Sequence, residues 1–201
     1  MRQPMPTDDI PALRVIVRAD PDCPTTGYLQ AGSLVVPVAL GRAGVAAEKR
    51  EGDGATPAGS WPLRCVFYRR DTVSGLVCGL PQQPIRPSDG WSDDPRDPDY
   101  NRLVAFPPTG SRCFSAERMW RDDDLYDIVV VVGHNDDPPV PGLGSAIFMH
   151  LARPDFSPTE GCIAMRRADM LAFCKLIGPQ TLLDIVLPEG GNAANRTGAP
   201  G

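Results

Sequence analysis

Short apolar runs separated by turn-forming residues recur along the chain, and this pattern predicts a mainly β protein. The run at 127–133 (DIVVVVG) is apolar almost throughout, which is typical of a strand that is buried on both faces. The content of Pro (23) and Gly (20) agrees with many short strands joined by turns rather than with long helices. The other predicted strands lie at residues 13–18, 32–41, 60–70, 145–150 and 181–188.

Two connections between these strands carry further predictions. Residues 20–31 are rich in turn formers and are predicted to join the first two strands as a turn. An apolar run at 74–80 follows the strand at 60–70 after a short turn, so the two are predicted to form a β-hairpin. In that hairpin Cys65 and Cys78 would face each other, which suggests a disulfide bridge between them.

Helical periodicity and a long irregular stretch complete the pattern. Apolar residues recur at spacings of three and four along 166–177, so one main helix is predicted there, ended by Gly178-Pro179. Residues 81–126 hold seven of the 23 prolines and show no periodicity. Because structureless connections of this length are uncommon in a compact domain, this long irregular insertion is predicted to fold over the molecule as a lid or binding wall.

The two ends of the chain differ from the part between them. Residues 1–12 and 189–201 are polar or rich in Pro, Gly and Asn, so they are predicted to be flexible, with one domain at 13–188. The first residues lack the apolar run and cleavage site of a secretory signal. No stretch approaches the roughly 20 apolar residues of a membrane helix. These features predict no membrane span and, taken alone, a cytoplasmic location.

Charge and cysteine spacing argue against several kinds of site. The net charge is −5 and the acidic residues are spread out, so no nucleic-acid partner is expected. The six cysteines form no CxxC pair, which argues against a zinc or thioredoxin-type site, and the five other than Cys162 are predicted to be unpaired. The runs 122–124 and 135–137 lack the glycine and glutamate of a calcium loop and are predicted to be turns. No metal site is predicted.

The stretch 150–165 (HLARPDFSPTEGCIAM) contains the candidate catalytic pair. A cysteine attacks as the thiolate and therefore needs a nearby base or a positive environment. His150 ends a predicted buried strand and Cys162 lies in a turn before the predicted helix, so the loop between them can bring imidazole and thiol together. The helix N-terminus is expected to favour the thiolate. The backbone amides of Gly161, Cys162 and Ile163 are expected to form an oxyanion hole.

Simpler interpretations apply to these and other residues. A histidine and a cysteine twelve positions apart also occur by chance, and cysteine is often buried for packing alone. His134 has no candidate nucleophile near it and is predicted to be a loop or strand-end residue. The three tryptophans, Trp61, Trp91 and Trp120, are predicted to pack inside the protein rather than to stack on sugar.

Two motifs resemble those of the YkuD-type L,D-transpeptidases. In that family a histidine precedes a serine–histidine–glycine–cysteine–isoleucine–arginine stretch, which resembles His150 followed by residues 159–163 (TEGCI). Residues 49–59 (KREGDGATPAG) are similar to the family's loop with a threonine–proline–x–glycine core. The resemblance covers roughly residues 33–187. The stretches WSDDPRDPDYNRLV and ERMWRDDDLYD are further similar to a small proteobacterial branch of the family.

This resemblance implies a fold, a reaction and roles for individual residues. The fold is a β-sandwich with one main helix after the catalytic cysteine. The thiolate attacks the carbonyl of an L-centre linked to a D-residue in a peptidoglycan stem peptide, and an amine resolves the thioester without metal or organic cofactor. The resemblance makes Cys162 the nucleophile and His150 the base and then the acid. The backbone of Gly161 and Ile163 then belongs to the site that binds the oxyanion, and Thr159 provides a supporting hydroxyl.

Three departures from the family pattern concern substrate selection. Thr159 stands where the family has serine, Glu160 where it has histidine, and Ala164 where it has arginine. The last change removes a guanidinium that can bind a carboxylate through two hydrogen bonds. Arg153, Arg166 and Arg167 are the candidates to replace it, with Arg153 and Arg166 preferred. Glu160 is expected to face away from the thiol, because a carboxylate beside it would raise the pKa of Cys162.

The resemblance implies an L,D-transpeptidase that makes 3,3- or 1,3-type cross-links. The first alternative is an L,D-carboxypeptidase or endopeptidase of the same fold, in which water resolves the thioester. The second is a non-catalytic protein that binds peptidoglycan. A location in the periplasm or cell envelope is implied because the polymer lies there, with cytoplasmic trimming of recycled stem peptides as the alternative. The sequence gives no basis for predicting the oligomeric state.

Overall fold

Fourteen strands and two short helices form the part of the chain that this computed structural model describes, residues 13–107, 109 and 112–188. This content confirms the prediction of a mainly β fold. The predicted flexible ends, 1–12 and 189–201, lie outside the described residues. The helices are α1 (Arg167–Cys174) and a 3-10 helix at Asp124–Tyr126. The strands are β1 (Arg14–Ala19), β2 (Thr26–Ala31), β3 (Leu34–Ala39), β4 (Val45–Ala46), β5 (Thr56–Pro57), β6 (Gly59–Tyr68), β7 (Gln82–Pro84), β8 (Asp89–Ser92), β9 (Leu103–Ala105), β10 (Ala116–Arg118), β11 (Ile128–Val132), β12 (Phe148–Leu151), β13 (Ile163–Met165) and β14 (Leu182–Val186).

Nine of these strands form one mixed sheet that closes on itself. Their order is β11-β12-β13-β3-β2-β1-β14-β6-β7, and β6 also pairs with β11, so the first eight strands make a barrel-like sandwich. In β1, Val15 and Val17 are fully buried while Arg14 and Arg18 are exposed. This alternation is the one expected of a strand with one face on the core.

Strand β11 separates two apolar clusters, which explains why all five of its residues are buried. Ile128, Val130 and Val132 belong to the cluster inside the barrel. Val129 and Val131 belong to a second cluster on the outer side. Full burial of one such side chain stabilises the fold by about 1.5–3 kcal/mol. The second cluster also contains Phe67, Ile85, Trp91, Met119, Leu125, Tyr126, Phe148 and Cys162.

The predicted insertion is less irregular than expected and forms one side of a cavity. Strands β10, β8 and β9 make a small sheet, followed by the 3-10 helix, and we call these four elements the wall. The wall packs on the barrel through Trp91 and Tyr126, whose rings lie 5.1 and 6.0 Å from that of Phe148. The chain leaves and re-enters the barrel at one point, because Tyr68 of β6 pairs with Pro84 on one side and Ile128 on the other.

Three sequence predictions about elements are wrong in detail. Residues 26–31 are a strand rather than part of a turn, with Gly27, Leu29 and Ala31 buried in alternation. The hairpin is absent, because 74–80 contains no strand and β6 instead pairs in parallel with β7. The helix is shorter than predicted, since α1 ends at Cys174. No helix in the described ranges has both the length and the apolar character to cross a membrane.

The cysteines follow the corrected topology. All six are free thiols. Without the hairpin, Cys65 and Cys78 do not form the suggested bridge. Cys78 instead lies against Cys174, and the neighbouring amide of Gly79 donates a hydrogen bond to the carbonyl of Ile177 at 3.1 Å. The loop at 78–79 therefore packs against the end of the helical region.

Candidate active site

Strands β12 and β13 bring the two candidate catalytic side chains to one place. They are parallel neighbours, with His150 paired to Ala164, and Cys162 lies immediately before β13. Alternate residues of a strand share a face, so Phe148 and His150 point the same way. The amide of Phe148 donates a hydrogen bond to the sulfur of Cys162 at 3.4 Å. His150 and Cys162 both line a cavity of about 550 Å³ between the barrel and the wall.

Cys162 is held as a neutral thiol in the free protein. Besides the bond from Phe148, its S–H donates to the carbonyl of Ala146 at 3.3 Å. Burial, and secondarily the negative charge of Glu117, raise the pKa of Cys162 to about 12. Helix α1 begins only at Arg167. The expectation that its N-terminus favours a thiolate is therefore wrong for the free protein.

His150 is a neutral imidazole with a defined tautomer. Its Nδ1 lies 2.9 Å from the carbonyl oxygen of Leu151. Because a carbonyl only accepts, Nδ1 carries the proton and Nε2 keeps its lone pair. The ring of Tyr126 packs against the imidazole with centroids 5.2 Å apart. Burial lowers the pKa of His150 to about 4, so the side chain is an uncharged base at neutral pH.

Thr159 fixes the turn that carries Cys162. Its hydroxyl donates to the carbonyl of Cys162 at 2.7 Å and accepts a bond from the amide of Gly161 at 3.1 Å. Its own amide donates to Leu40, which ties the turn to the barrel. Gly161 has φ +132, and a Cβ there would lie 2.7 Å from the carbonyl oxygen of Ala55. This turn therefore requires glycine before the cysteine.

One backbone donor beside the sulfur is available to a substrate. The amide of Gly161 is bonded to Thr159, so it is engaged in the free protein. Ile163 is fully buried at the start of β13. The amide of Cys162 makes no hydrogen bond to any residue that the structure describes. It is therefore the candidate donor for a negatively charged oxygen next to the sulfur.

Removing the Thr159 hydroxyl is expected to slow thioester formation while the fold persists. In Thr159→Val the turn loses both hydroxyl bonds, and a misplaced nucleophile lowers the rate about 10- to 100-fold. Thr159→Ser keeps the hydroxyl and should stay within about threefold of wild type. Intact-protein mass spectrometry of a single turnover measures both. Equal rates for the valine variant and wild type would show that the hydroxyl does not position the sulfur.

Asn101, which the sequence prediction missed, supports the segment that contacts the thiol. Its Oδ1 accepts bonds from the amide of Ala146 at 3.1 Å and from Nε1 of Trp91 at 2.8 Å. Its Nδ2 donates to the carbonyls of His134 and Asn135, at 3.1 and 2.7 Å. The side chain is 3% exposed and the backbone has φ +56, a conformation that asparagine tolerates. A single asparagine in a loop forms no pattern from which this role is predicted.

The second matching motif also borders the cavity, through Lys49 and Glu51. The ammonium group of Lys49 forms an ion pair with Asp53. The carboxylate of Glu51 accepts hydrogen bonds from the hydroxyls of Tyr100 and Ser145. Both charged groups are thus already engaged within the protein.

The remaining predicted residues are separated by the fold. Arg153 is exposed and lines the cavity, and its guanidinium makes no hydrogen bond or ion pair with the described part of the chain. Arg166 is not among the residues that line the cavity, and its guanidinium stacks over the ring of Phe156 at 4.9 Å. Glu160 is 79% exposed and accepts a bond from Arg42 at 2.7 Å. This ion pair holds its charge at the exposed rim of the cavity.

His134 and the three tryptophans are not among the residues that line the cavity of Cys162. Nε2 of His134 donates to the carbonyl of Leu143 at 3.0 Å, and Trp61 packs edge-on to the ring at 4.7 Å. Both border a separate cavity of about 420 Å³. Trp91 and Trp120 pack within the protein, against an aromatic ring and a guanidinium group respectively.

The acidic runs are engaged with arginines. Asp123 pairs with Arg121 and Asp136 with Arg64, at 2.7 and 2.8 Å. Within the described ranges, no three His, Cys, Asp or Glu side chains are grouped as metal ligands would be.

Comparison with known proteins identifies the family. The family model of the L,D-transpeptidase catalytic domain, YkuD, matches residues 14–185. Neither the curated proteins nor the solved structures gave a significant match. The matched range contains His150, Cys162 and the upstream motif at 49–59. It also contains the whole wall, which lies between that motif and His150 in the sequence. Since it also covers most of the 201 residues, the chain belongs to the YkuD family of L,D-transpeptidase catalytic domains.

Proposed function

We propose that this protein is an active cysteine L,D-transpeptidase that acts on peptidoglycan stem peptides. The observation that carries this proposal is the shared cavity of a neutral Cys162 thiol and a neutral His150 imidazole whose Nε2 is unprotonated. Family membership gives the class of reaction, and the two side chains provide a nucleophile and its base.

Acylation begins with proton transfer from the thiol to Nε2 of His150. The sulfur of Cys162 attacks the carbonyl carbon of the L-residue, and the amide of Cys162 donates a hydrogen bond to the resulting oxyanion. His150 then passes its proton to the nitrogen of the D-residue, which leaves as an amine. The hydrogen bond that Nδ1 donates to the carbonyl of Leu151 keeps Nδ1 protonated and so presents Nε2 to both transfers.

Deacylation reverses these roles with a second amine. Its nitrogen attacks the thioester carbonyl, His150 takes one proton from it, and the sulfur leaves as the C–S bond breaks. His150 then returns the proton to Cys162, which restores the neutral pair. The product is an amide cross-link of the 3,3 or 1,3 type, according to which L-to-D junction served as donor.

Arg153 is the group we propose for binding a carboxylate of the donor. Its side chain is exposed at the cavity and has no hydrogen-bond or ion-pair partner among the described residues, so the guanidinium is available. Arg166 is not proposed for this role because it lies on Phe156, outside the cavity lining. The arginine that the family carries at position 164 would thus be replaced from the 150–162 loop.

Members of the family typically act in the cell envelope. We infer the same location for this protein, since the cross-linked polymer is found there.

The test is mass spectrometry of purified disaccharide-tetrapeptides incubated with wild type and with Cys162→Ala. Dimers formed only by wild type are expected, and fragmentation locates the new bond. If the products are instead monomers shortened by one residue, the protein is an L,D-carboxypeptidase rather than a transpeptidase. Unchanged substrate together with binding would favour a protein that recognises the wall without catalysis.

The rate of thioester formation is expected to rise with pH through about 4 and then to stay level to about pH 9. His150 acts as a base only when neutral, and burial lowers its pKa to about 4. The Cys162 thiol, with its pKa raised to about 12, does not ionise in this range and adds no second rise. Single-turnover acylation followed by intact-protein mass spectrometry measures the profile.

Alkylation of Cys162 by iodoacetamide provides the control for that profile. This uncharged reagent reacts with the thiolate, so its rate should rise about tenfold per pH unit over the same range. A rise in acylation near pH 8 that coincides with a plateau in alkylation would contradict the neutral-pair mechanism.

A further inference from the structure

The second half of the proposed reaction depends on the charge of the acceptor. The side-chain amine of a diamino acid has a pKa like that of lysine, about 10.4, so it arrives as an ammonium ion. An ammonium nitrogen has no lone pair and attacks a thioester only after losing a proton. A site that prefers such an amine over water therefore benefits from a negative group near the sulfur.

Glu117 is an acidic side chain in the cavity whose charge acts on Cys162. It lies in β10 of the wall, opposite Trp91 of β8. Its Oε1 accepts a hydrogen bond from the hydroxyl of Tyr126 at 2.6 Å. Tyr126 in turn packs against the His150 ring, so Glu117 is fixed relative to both reacting groups.

The charge of Glu117 is only partly compensated. Nη1 of Arg121 lies 4.0 Å from Oε1 of Glu117. The same guanidinium donates its two hydrogen bonds, of 2.8 and 2.7 Å, to the carboxylate of Asp123. Asp93 also lines the cavity, and its buried Oδ1 has no hydrogen-bond partner in the described part of the chain. Burial first, and then the charge of Asp93 among smaller effects, raise the pKa of Glu117. A cation entering here would relieve this repulsion.

The other two glutamates of the cavity have hydrogen-bond or ion-pair partners of their own. Glu51 accepts bonds from two hydroxyls, and Glu160 pairs with Arg42. Glu117 raises the pKa of the thiol and therefore opposes the first half of the reaction. The same charge attracts an ammonium ion in the second half, when the sulfur is acylated and neutral. Its placement suits the acceptor rather than the donor.

Resting on the proposed function, we infer that Glu117 selects a cationic amine as acyl acceptor and removes its extra proton. One N–H proton passes to the Glu117 carboxylate, which frees the nitrogen lone pair. The nitrogen attacks the thioester carbon, a second proton passes to Nε2 of His150, and the C–S bond breaks. His150 protonates the departing sulfur, and Glu117 releases its proton to solvent. Asp93 contributes negative charge to the same ion.

The test separates the two half-reactions in wild type and in Glu117→Gln. The glutamine keeps an oxygen that accepts the Tyr126 bond but carries no charge. The thioester is formed from a disaccharide-tetrapeptide and then offered a disaccharide-tripeptide, whose diamino acid supplies the ammonium. In Glu117→Gln we expect acylation at the wild-type rate or faster. The KM for the acceptor should rise about tenfold, and the ratio of aminolysis to hydrolysis should fall about tenfold. Glu160→Gln, which makes the same charge change at the rim, should alter neither.

Hydroxylamine distinguishes recognition of charge from damage to the site. This nucleophile is largely unprotonated at neutral pH, so it should resolve the thioester equally well in wild type and Glu117→Gln. Loss of both reactions, or an unchanged KM for the tripeptide, would overturn the inference alone. Absence of a thioester in wild type would overturn the proposed function and this inference with it.

Discussion

Cys162→Ala is expected to form no thioester and to show no turnover of disaccharide-tetrapeptides. The sulfur is the nucleophile proposed for the cavity, and no other cysteine borders it among the described residues. Alanine removes two weak sulfur hydrogen bonds, of 3.4 and 3.3 Å, so the cost in folding free energy should be about 1–2 kcal/mol. Intact-protein mass spectrometry measures acylation, and thermal unfolding checks the fold.

Cys65→Ala is the matched control for this variant. Cys65 packs at the edge of the same outer cluster, and burial raises the pKa of its thiol to about 11. It does not line the cavity that contains Cys162. This variant should acylate at the wild-type rate. Turnover that survives in Cys162→Ala would rule out the cysteine mechanism.

His150→Gln is expected to lower the rate of acylation about 10³-fold at neutral pH. Glutamine can still donate to the Leu151 carbonyl but cannot take the proton of the thiol. With the base removed, only the rare thiolate reacts. Because the thiol pKa is raised to about 12, the residual rate should increase about tenfold per pH unit, unlike the level profile of wild type. Single-turnover acylation between neutral and alkaline pH measures both effects.

His134→Gln tests whether this loss is specific to the base. The other histidine is also buried but borders a separate cavity with Trp61. Its replacement should leave the pH profile of acylation unchanged, even where it lowers thermal stability. Rates for His150→Gln within about threefold of wild type would contradict the role of His150 as base.

The strands that sequence patterns predict best are those whose signal is local. Residues 128–132 are apolar on both faces and form the fully buried β11. Residues 26–31 carry a weaker signal, because two of the three buried positions are Gly27 and Ala31. The absent hairpin has a non-local cause, since Gly79 bonds to Ile177, almost a hundred residues away. Such contacts leave no periodic trace in the segment itself.

The site shows the same division between local and non-local information. The positions of His150 in β12 and of Cys162 just before the neighbouring β13 follow from two adjacent segments of chain. The ionisation of the thiol does not, because it depends on burial and on Glu117 of the wall. Sequence alone indicated a helix close to Cys162 and therefore predicted the wrong direction for its pKa. The role of Asn101 likewise depends on groups more than thirty residues away.

The pairing of Tyr68 with both Pro84 and Ile128 has a consequence for how this enzyme fold can diversify. Adjacent strands lie about 4.8 Å apart, so the chain departs from and returns to the barrel within about 10 Å. An inserted segment whose two ends lie so close together can be exchanged for another. A longer, shorter or differently charged segment joins the same two anchor strands without moving them. Recombination at these anchors would replace the wall side of the cavity in one genetic event. The strands that hold the cysteine and histidine would be inherited intact.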